Sequence, residues 1–336
     1  MKVIYQFNGE DIGVPEEVAK AINDLDLRES SQQKAKSSIV HYIKWVNDTN
    51  RDFPIENDMK SHVRLIDSYM GWLKKNEYAR NTISGRWLWV SRLYKELSMD
   101  LLNEYAFLEE NPIDMLEDHD KTRKDYLPAQ SEQSQEKAKY YVDKEDLDLI
   151  LDNLPSPVFR SEVLIKLAWT TGLRSSEIAN LKSENVNLED NLLEGFWVPK
   201  TLESRDIWIP DTTVWYLDQW LNGGYRDSYS YAGESDYLFP ANKCERIHPS
   251  RLTKIIDKAA QNAGIQQALG EDKAGNTRWK VTAHAFRRGH GMYLLQKGKS
   301  LPEIQARLGH NSPDQTSDYL PIDTAETRKS LGSIRF

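Results

Sequence analysis

A chain of 336 residues, 29% charged and 39% hydrophobic, is long enough for two domains that each bury a core. It has no apolar run of about 18 residues, and its acidic start, MKVIYQFNGEDIGVPEEV, lacks the layout of a signal peptide. Cys244 is the single cysteine, which excludes an intramolecular disulfide and a multi-cysteine zinc site, and the net charge of −8 speaks at first against a nucleic-acid partner. An intracellular protein is expected.

Residues 1–28 read as a short acidic lead with one helix from Pro15 to about Asp24. From Ser31 the pattern becomes strongly helical. In QQKAKSSIVHYIKWVND, Ile39, Tyr42, Ile43 and Val46 fall at i, i+3, i+4 and i+7. SHVRLIDSYMGWLKK repeats the period with Val63, Ile66, Met70 and Leu73. TISGRWLWVSRLYKELS predicts a third helix from near Asn81, and LLNEYAFLEE a fourth, ended by Asn111-Pro112. Four helices on short loops predict a compact helical domain over 29–116. Residues 117–139, EDHDKTRKDYLPAQSEQSQEKAK, are polar and charged, and predict an exposed linker.

A second domain is expected over 140–336. DKEDLDLILDNL and SEVLIKLAWTTGL are helical by period, the first ending at Pro155 and the second stopped by Gly172. NLLEGFWVPKTLESRDIWIP carries two runs rich in Trp, Val, Ile and Phe around a polar connection, which predicts a β-hairpin. Helices resume at TTVWYLDQWL, SRLTKIIDKAAQNAG and HAFRRGHGMYLLQKG. The expected fold is mostly α with a small antiparallel β-sheet.

Charge is unevenly placed. Residues 60–95 hold eight basic and two acidic side chains, and residues 243–307 thirteen basic and five acidic. Two basic zones thus lie in a remainder that carries −22. Such zones fit an electrostatic footprint on DNA, and charge alone fits two solvated helical faces equally well.

Near the end, SLPE at Ser300–Glu303 is a capping box that starts a helix, and Gly309 suits the left-handed turn that stops it. SPDQ at Ser312–Gln315 then caps another helix with Pro313 at its first position. His310 falls in the corner between them, and Tyr319 about two turns along the second. Taken singly, each of these features has a plain structural explanation, as a cap, a packing aromatic or a basic helix start.

Together they resemble the tyrosine recombinases, the family of phage integrases and Xer-type resolvases. TTGLRSSEIANL is similar to the family's first arginine box, with Arg174 and, three residues on, Glu177. VPKTLESRDIWIP is similar to the hairpin that carries its lysine, here Lys200, although the Gly-Lys-Gly of many relatives is absent. HAFRRGHGMYLLQKG matches His-x-x-Arg with His284 and Arg287, and IQARLGHNSPDQTSDYL matches the third box with His310 and Tyr319. Arg288 and Gly289 stand where histidine and Thr or Ser are usual.

The resemblance implies a helical SAM-like core-binding domain before a tyrosine-recombinase catalytic domain with a C-terminal tail helix, most like archaeal-type integrases. It implies a nucleophile, Tyr319, that forms a 3′-phosphotyrosyl link, with Arg174, Arg287 and His310 meeting the phosphate charge, Lys200 as general acid and His284 assisting proton movement. Glu177 would hold Arg174 or the helix of the first box in place. No cofactor and no metal are expected. Double-stranded DNA is the implied partner, with four protomers on two duplexes, in a cytoplasmic, nucleoid-associated enzyme of a mobile element. Arg80, Arg86, Arg92, Arg251 and Lys254 are the candidate DNA contacts. The competing readings are a type IB topoisomerase-like or telomere-resolving enzyme, and a DNA-bridging protein that does not cut.

Overall fold

The computed structural model describes residues 1–98, 102–129, 140–198, 203–271 and 276–309. The chain divides into two compact units, Met1–Gln130 and Ser131–Phe336. Among the described residues no helix is long and apolar enough to cross a membrane.

The first unit opens with a hairpin. Strands β1 (Lys2–Phe7) and β2 (Glu10–Pro15) pair antiparallel around Asn8-Gly9, both at positive φ (51° and 83°). That is the backbone a two-residue turn requires, and Asn-Gly supplies it at little cost. Tyr5, Ile12 and Val14 enter the core together with Val18 and Ile22 of α1 (Glu16–Asp24). The expected helix from Pro15 to about Asp24 is α1, but the stretch expected to be a separate acidic lead packs into this domain's core. Its Asn-Gly signal lay in the sequence, between strands too short to stand out.

Helices α2 (Glu29–Asp48), α3 (Met59–Lys75) and α4 (Arg80–Leu97) follow the expected periods, with Ile39, Tyr42, Ile43, Val46, Ile66, Met70 and Leu73 buried. The fourth helix differs from expectation. Residues 102–111 are not helical, and α5 spans Pro112–Asp118, with Asn111 as its N-cap accepting from the Ile113 amide at 3.0 Å. Asn-Pro starts this helix instead of ending one, because proline at the first position forfeits no hydrogen bond. The expected linker also begins later. A short α6 (Arg123–Tyr126) buries Tyr126, whose hydroxyl donates to Asp67 at 2.6 Å. Leu116 joins the same core.

In the second unit, α7 (Lys144–Asp152), α8 (Val158–Thr171) and α9 (Ser175–Asn180) precede a three-stranded antiparallel sheet, β3 (Val186–Asn187), β4 (Leu192–Val198) and β5 (Glu203–Trp208). Then come α10 (Asp211–Asn222), α11 (Ser250–Asn262), a small hairpin β6 (Ala268–Glu271) and β7 (Thr277–Trp279), α12 (Ala283–Gln296) and α13 (Leu301–Leu308). The hairpin β6–β7 was not foreseen. Helix α8 runs through the core, burying Val163, Leu164, Ile165, Leu167 and Ala168. Helix α12 packs against it through Gly289, where an added Cβ would lie 2.0 Å from the Val142 carbonyl and 2.4 Å from the Trp169 ring. Arg288 is nearly buried and donates from Nε to the Tyr140 carbonyl at 2.8 Å. Both departures from the usual second box are thus packing features, tying α12 to the segment that leads into the unit.

Candidate active site

The site grows from two helix stops and one helix start. Gly172 ends α8 at φ 66°, and its missing side chain makes room for His290 and Leu308, each 2.7 Å from a Cβ built there. The chain then turns straight into α9, so that Arg174 sits at the N-cap and Glu177 at the third helical position. Glu177 reaches back to accept the Arg174 amide at 2.8 Å, as the N3 residue of a helix start does. Gly309 ends α13 at φ 64°.

Glu177 is almost wholly buried, at 2% exposure, and three guanidiniums face it. Arg174 Nη1 donates to Oε1 at 2.6 Å, Arg205 Nη2 to Oε2 at 3.3 Å, and Arg287 Nη1 stands 3.8 Å from Oε2. The same three arginines hold the exit of α13. Arg205 Nη1 donates to the Arg307 carbonyl at 3.2 Å, Arg287 Nη2 to that of Leu308, and Arg174 Nη2 to that of Gly309 at 3.5 Å. These are carbonyls that a helix end leaves without partners inside the helix. Arg287 also donates to the Gly172 carbonyl at 2.7 Å. Two helix ends are therefore joined through one carboxylate and three cations.

Beside this cluster, Arg307 donates to His290 Nε2 at 3.3 Å and to the Thr170 carbonyl at 2.8 Å. Burial pushes the His290 imidazole down to about 3, and the neighbouring Arg307 and Arg287 charges add to the shift. His290 is therefore neutral and serves as an acceptor. Burial and the nearby Arg205 lower Arg307 to about 10, and Arg205 itself is lowered by burial against the opposing pull of Glu177. Three cations around one anion leave positive charge over, in a region of low dielectric. Such a centre favours a further anion.

Of the expected residues, the structure brings Arg174, Glu177 and Arg287 together. His284 lies exposed in the first turn of α12. Lys200, His310 and Tyr319 lie outside the described residues, as do the helix expected from Ser312 and the tail helix. Arg205, His290 and Arg307 were not foreseen. A signal for Arg205 existed: in ESRDIWIP it shares its strand face with buried Ile207, and a charge at an inward strand position calls for a partner.

Arg80 and Arg86, two of the candidate DNA contacts, donate to the carbonyls of Pro128 and Ser37, both at 2.9 Å. Burial lowers the Arg86 guanidinium. Arg251 is half-buried, whereas Arg92 and Lys254 are exposed. Among the described residues no three His, Cys, Asp or Glu side chains come together to hold a metal ion.

The second unit is mostly helical with two small antiparallel sheets and holds a buried cluster of three arginines about one carboxylate. Residues 140–326, more than half of the sequence, match the phage integrase family, and the chain belongs to that family. A probable integrase/recombinase of Methanocaldococcus jannaschii is 27% identical over 199 residues, 58% of this chain and 55% of that one. The tyrosine recombinase XerA of Pyrococcus furiosus is 26% identical over 191 residues, 56% of this chain and 59% of that one. The chain thus spans a little over half the length of these curated relatives. Among solved structures, the Tn1549 transposon integrase in complex with transposon right end DNA aligns over 94% of this chain and 97% of that one, with TM-score 0.65 and 13% identity. The XerH site-specific recombinase bound to palindromic difH substrate aligns over 94% and 88%, with TM-score 0.62 and 19% identity. These two likenesses establish a shared fold.

Proposed function

We propose that this chain is a site-specific tyrosine recombinase that cuts and rejoins double-stranded DNA in the integration or excision of a mobile element. The observation that carries the reading is the arginine cluster: Arg174 and Arg287, from separate helices, share Glu177 directly at the exit toward His310. Breaking a phosphodiester raises negative charge on the non-bridging oxygens of the five-coordinate phosphorus, and fixed guanidinium forks are suited to receive it.

In this reading the Tyr319 hydroxyl gives up its proton, with His284 assisting, and its oxygen attacks phosphorus. The phosphorus–O5′ bond breaks and the departing oxygen takes a proton from Lys200. A 3′-phosphotyrosyl ester and a 5′-hydroxyl result. The ester conserves the bond energy, so no ATP is needed, and no metal has a step to perform. Attack by a 5′-hydroxyl of a second duplex reverses the sequence and rejoins exchanged strands. His310 adds a donor to the phosphate. Relatives solved on DNA support a DNA partner, and four protomers on two duplexes form the proposed assembly.

The test is a suicide-substrate assay in EDTA, using a nicked duplex that carries a sequence selected by the protein from a randomised pool. Wild type is expected to give a covalent protein–DNA band that Tyr319→Phe abolishes. Specific binding with no covalent band under any condition would leave a DNA-bridging protein. Relaxation of supercoiled plasmid lacking the selected sequence would turn the reading toward a topoisomerase.

A further inference from the structure

We propose that Arg205 is a positioning residue for this reaction, coupling strand β5 to the carboxylate that orients Arg174 and to the helix end that presents the third box. The inference rests on the recombinase reading and goes beyond the six residues in which that reading places the chemistry.

Arg205 lies on β5 opposite Phe196 of β4, and its guanidinium sits 5.4 Å from the Phe196 ring centroid. The ring covers one side of the plane. On another side Gly309 comes so close that a Cβ there would stand 2.4 Å from Nη1 and 3.0 Å from Cζ. The plane thus lies between an aromatic ring and Gly309, whose φ of 64° favours glycine. Both terminal nitrogens are engaged, Nη2 on Glu177 and Nη1 on the Arg307 carbonyl, and the side chain is 17% exposed.

These contacts give Arg205 a role distinct from those of Arg174 and Arg287. It faces the Oε2 oxygen that also caps the Arg174 amide, while Arg174 Nη1 takes Oε1. Without Arg205 the Oε2 oxygen keeps the Arg174 amide but loses a guanidinium donor, and the Glu177 carboxylate can shift toward Arg174 and Arg287. The Arg307 carbonyl, three positions before His310, also loses its tie to the sheet. A rigid planar fork spans both points at once. A lysine ammonium supplies the charge but cannot reach both in one geometry. Sub-ångström misplacement of charge-stabilising donors slows a reaction without weakening binding, because most DNA affinity comes from dispersed phosphate contacts.

The experiment compares full-length wild type, Arg205→Ala and Arg205→Lys on the nicked selected duplex, measuring the rate of covalent-complex formation and the DNA affinity separately. Arg205→Ala is expected to slow covalent attachment by about 10- to 100-fold while affinity stays within about twofold. Added guanidinium ion should restore part of the rate. Arg205→Lys should fall between the two, with an unchanged melting temperature, and carries the test by itself if Arg205→Ala fails to fold. A wild-type rate in Arg205→Lys when Arg205→Ala does not fold, or in Arg205→Ala itself, overturns the proposal. So does a loss of affinity that matches the loss of rate and is not rescued, which would make Arg205 a DNA contact. If wild type forms no adduct with any selected duplex, the recombinase reading fails and this inference with it. An adduct in wild type matched by Arg205→Ala removes only the role of Arg205.

Discussion

The two units bury polar groups in opposite ways. In the first, the buried polar chain is neutral: the hydroxyls of Tyr42 and Tyr94 meet at 3.0 Å, Tyr94 reaches His62 Nδ1 at 3.2 Å, and His62 Nε2 lies 3.2 Å from the Glu56 carbonyl. His41 and Tyr69 form a parallel pair at 2.8 Å. Every member of these chains has a partner within the unit. In the second unit, beside neutral buried groups such as Thr171 and His290, stands a cluster of ions that does not balance, since one carboxylate answers three guanidiniums. A satisfied neutral network holds a core in register and asks for nothing more. An unbalanced ionic one costs stability, and that cost fits a site that completes itself with a ligand.

Removing the one anion should break this contrast most severely. Glu177→Ala is expected to destabilise the second unit by about 3–5 kcal/mol, the range for stripping one partner from a buried ion pair. Hydrogen exchange resolved by unit would show the loss confined to residues after 140. Sulfate should recover more stability in this variant than in wild type, because the surplus positive charge is larger. Recovery equal to wild type would argue against an anion-seeking centre.

Gly289→Ala should act on the same unit through packing alone. A methyl 2.0 Å from the Val142 carbonyl must push α12 away from its support, and overpacking of this kind costs about 1–3 kcal/mol. Unit-resolved hydrogen exchange should show no change before residue 130, and sulfate should give no extra recovery.

The neutral network of the first unit gives a milder effect. Tyr94→Phe leaves the Tyr42 hydroxyl and His62 Nδ1 without their shared partner and should cost about 1–3 kcal/mol in the first unit only. Its histidines add a pH dependence. Burial holds His41 down at about 4 and lowers His62, so the unfolded chain binds protons that the folded chain refuses. This contribution is fully present above about pH 6.5 and is lost as pH falls from there toward 4. Melting temperatures should therefore drop between pH 7 and pH 5, and His62→Gln should flatten that slope. An unaltered slope in the variant would remove His62 as its source.

The smallest effects belong to the surface. Arg92→Ala and Lys254→Ala should change stability by no more than about 0.5 kcal/mol, and each should lower the slope of log affinity against log salt by about 1 if it meets a phosphate. Arg80 and Arg86 are spent on backbone carbonyls, so their replacement should register first as a loss of stability in the first unit.

Much of this was legible in one dimension, and the boundary has physical causes. Periodic apolar residues predict α2, α3, α4 and α8 because burial of one stripe outweighs every local preference over several turns. Ser300 with Glu303, and Gly172 and Gly309 after their helices, announce helix starts and stops because caps are satisfied by their own neighbours. Resemblance of the boxes to those of the tyrosine recombinases pointed to Arg174, Glu177 and Arg287 as a group. Local chemistry misled where two outcomes share one signal: Asn111-Pro112 can end a helix or begin one, and only packing of Leu116 on the first core decided for a start. The polar ends of the first unit likewise read as lead and linker, and only the tertiary packing of Tyr5 and Tyr126 makes them part of the core.

What lies at long range was decided by the tertiary structure alone. Arg205 meets a carboxylate 28 positions before it and a carbonyl 102 positions after it, and His290 meets Arg307 across 17. No periodicity links such positions, because their contact depends on where whole helices and a strand come to rest. The sequence by itself determined most of the helices and their caps, because both rest on neighbours within a few turns. The fold alone decided that one buried carboxylate would hold three arginines at the end of a helix.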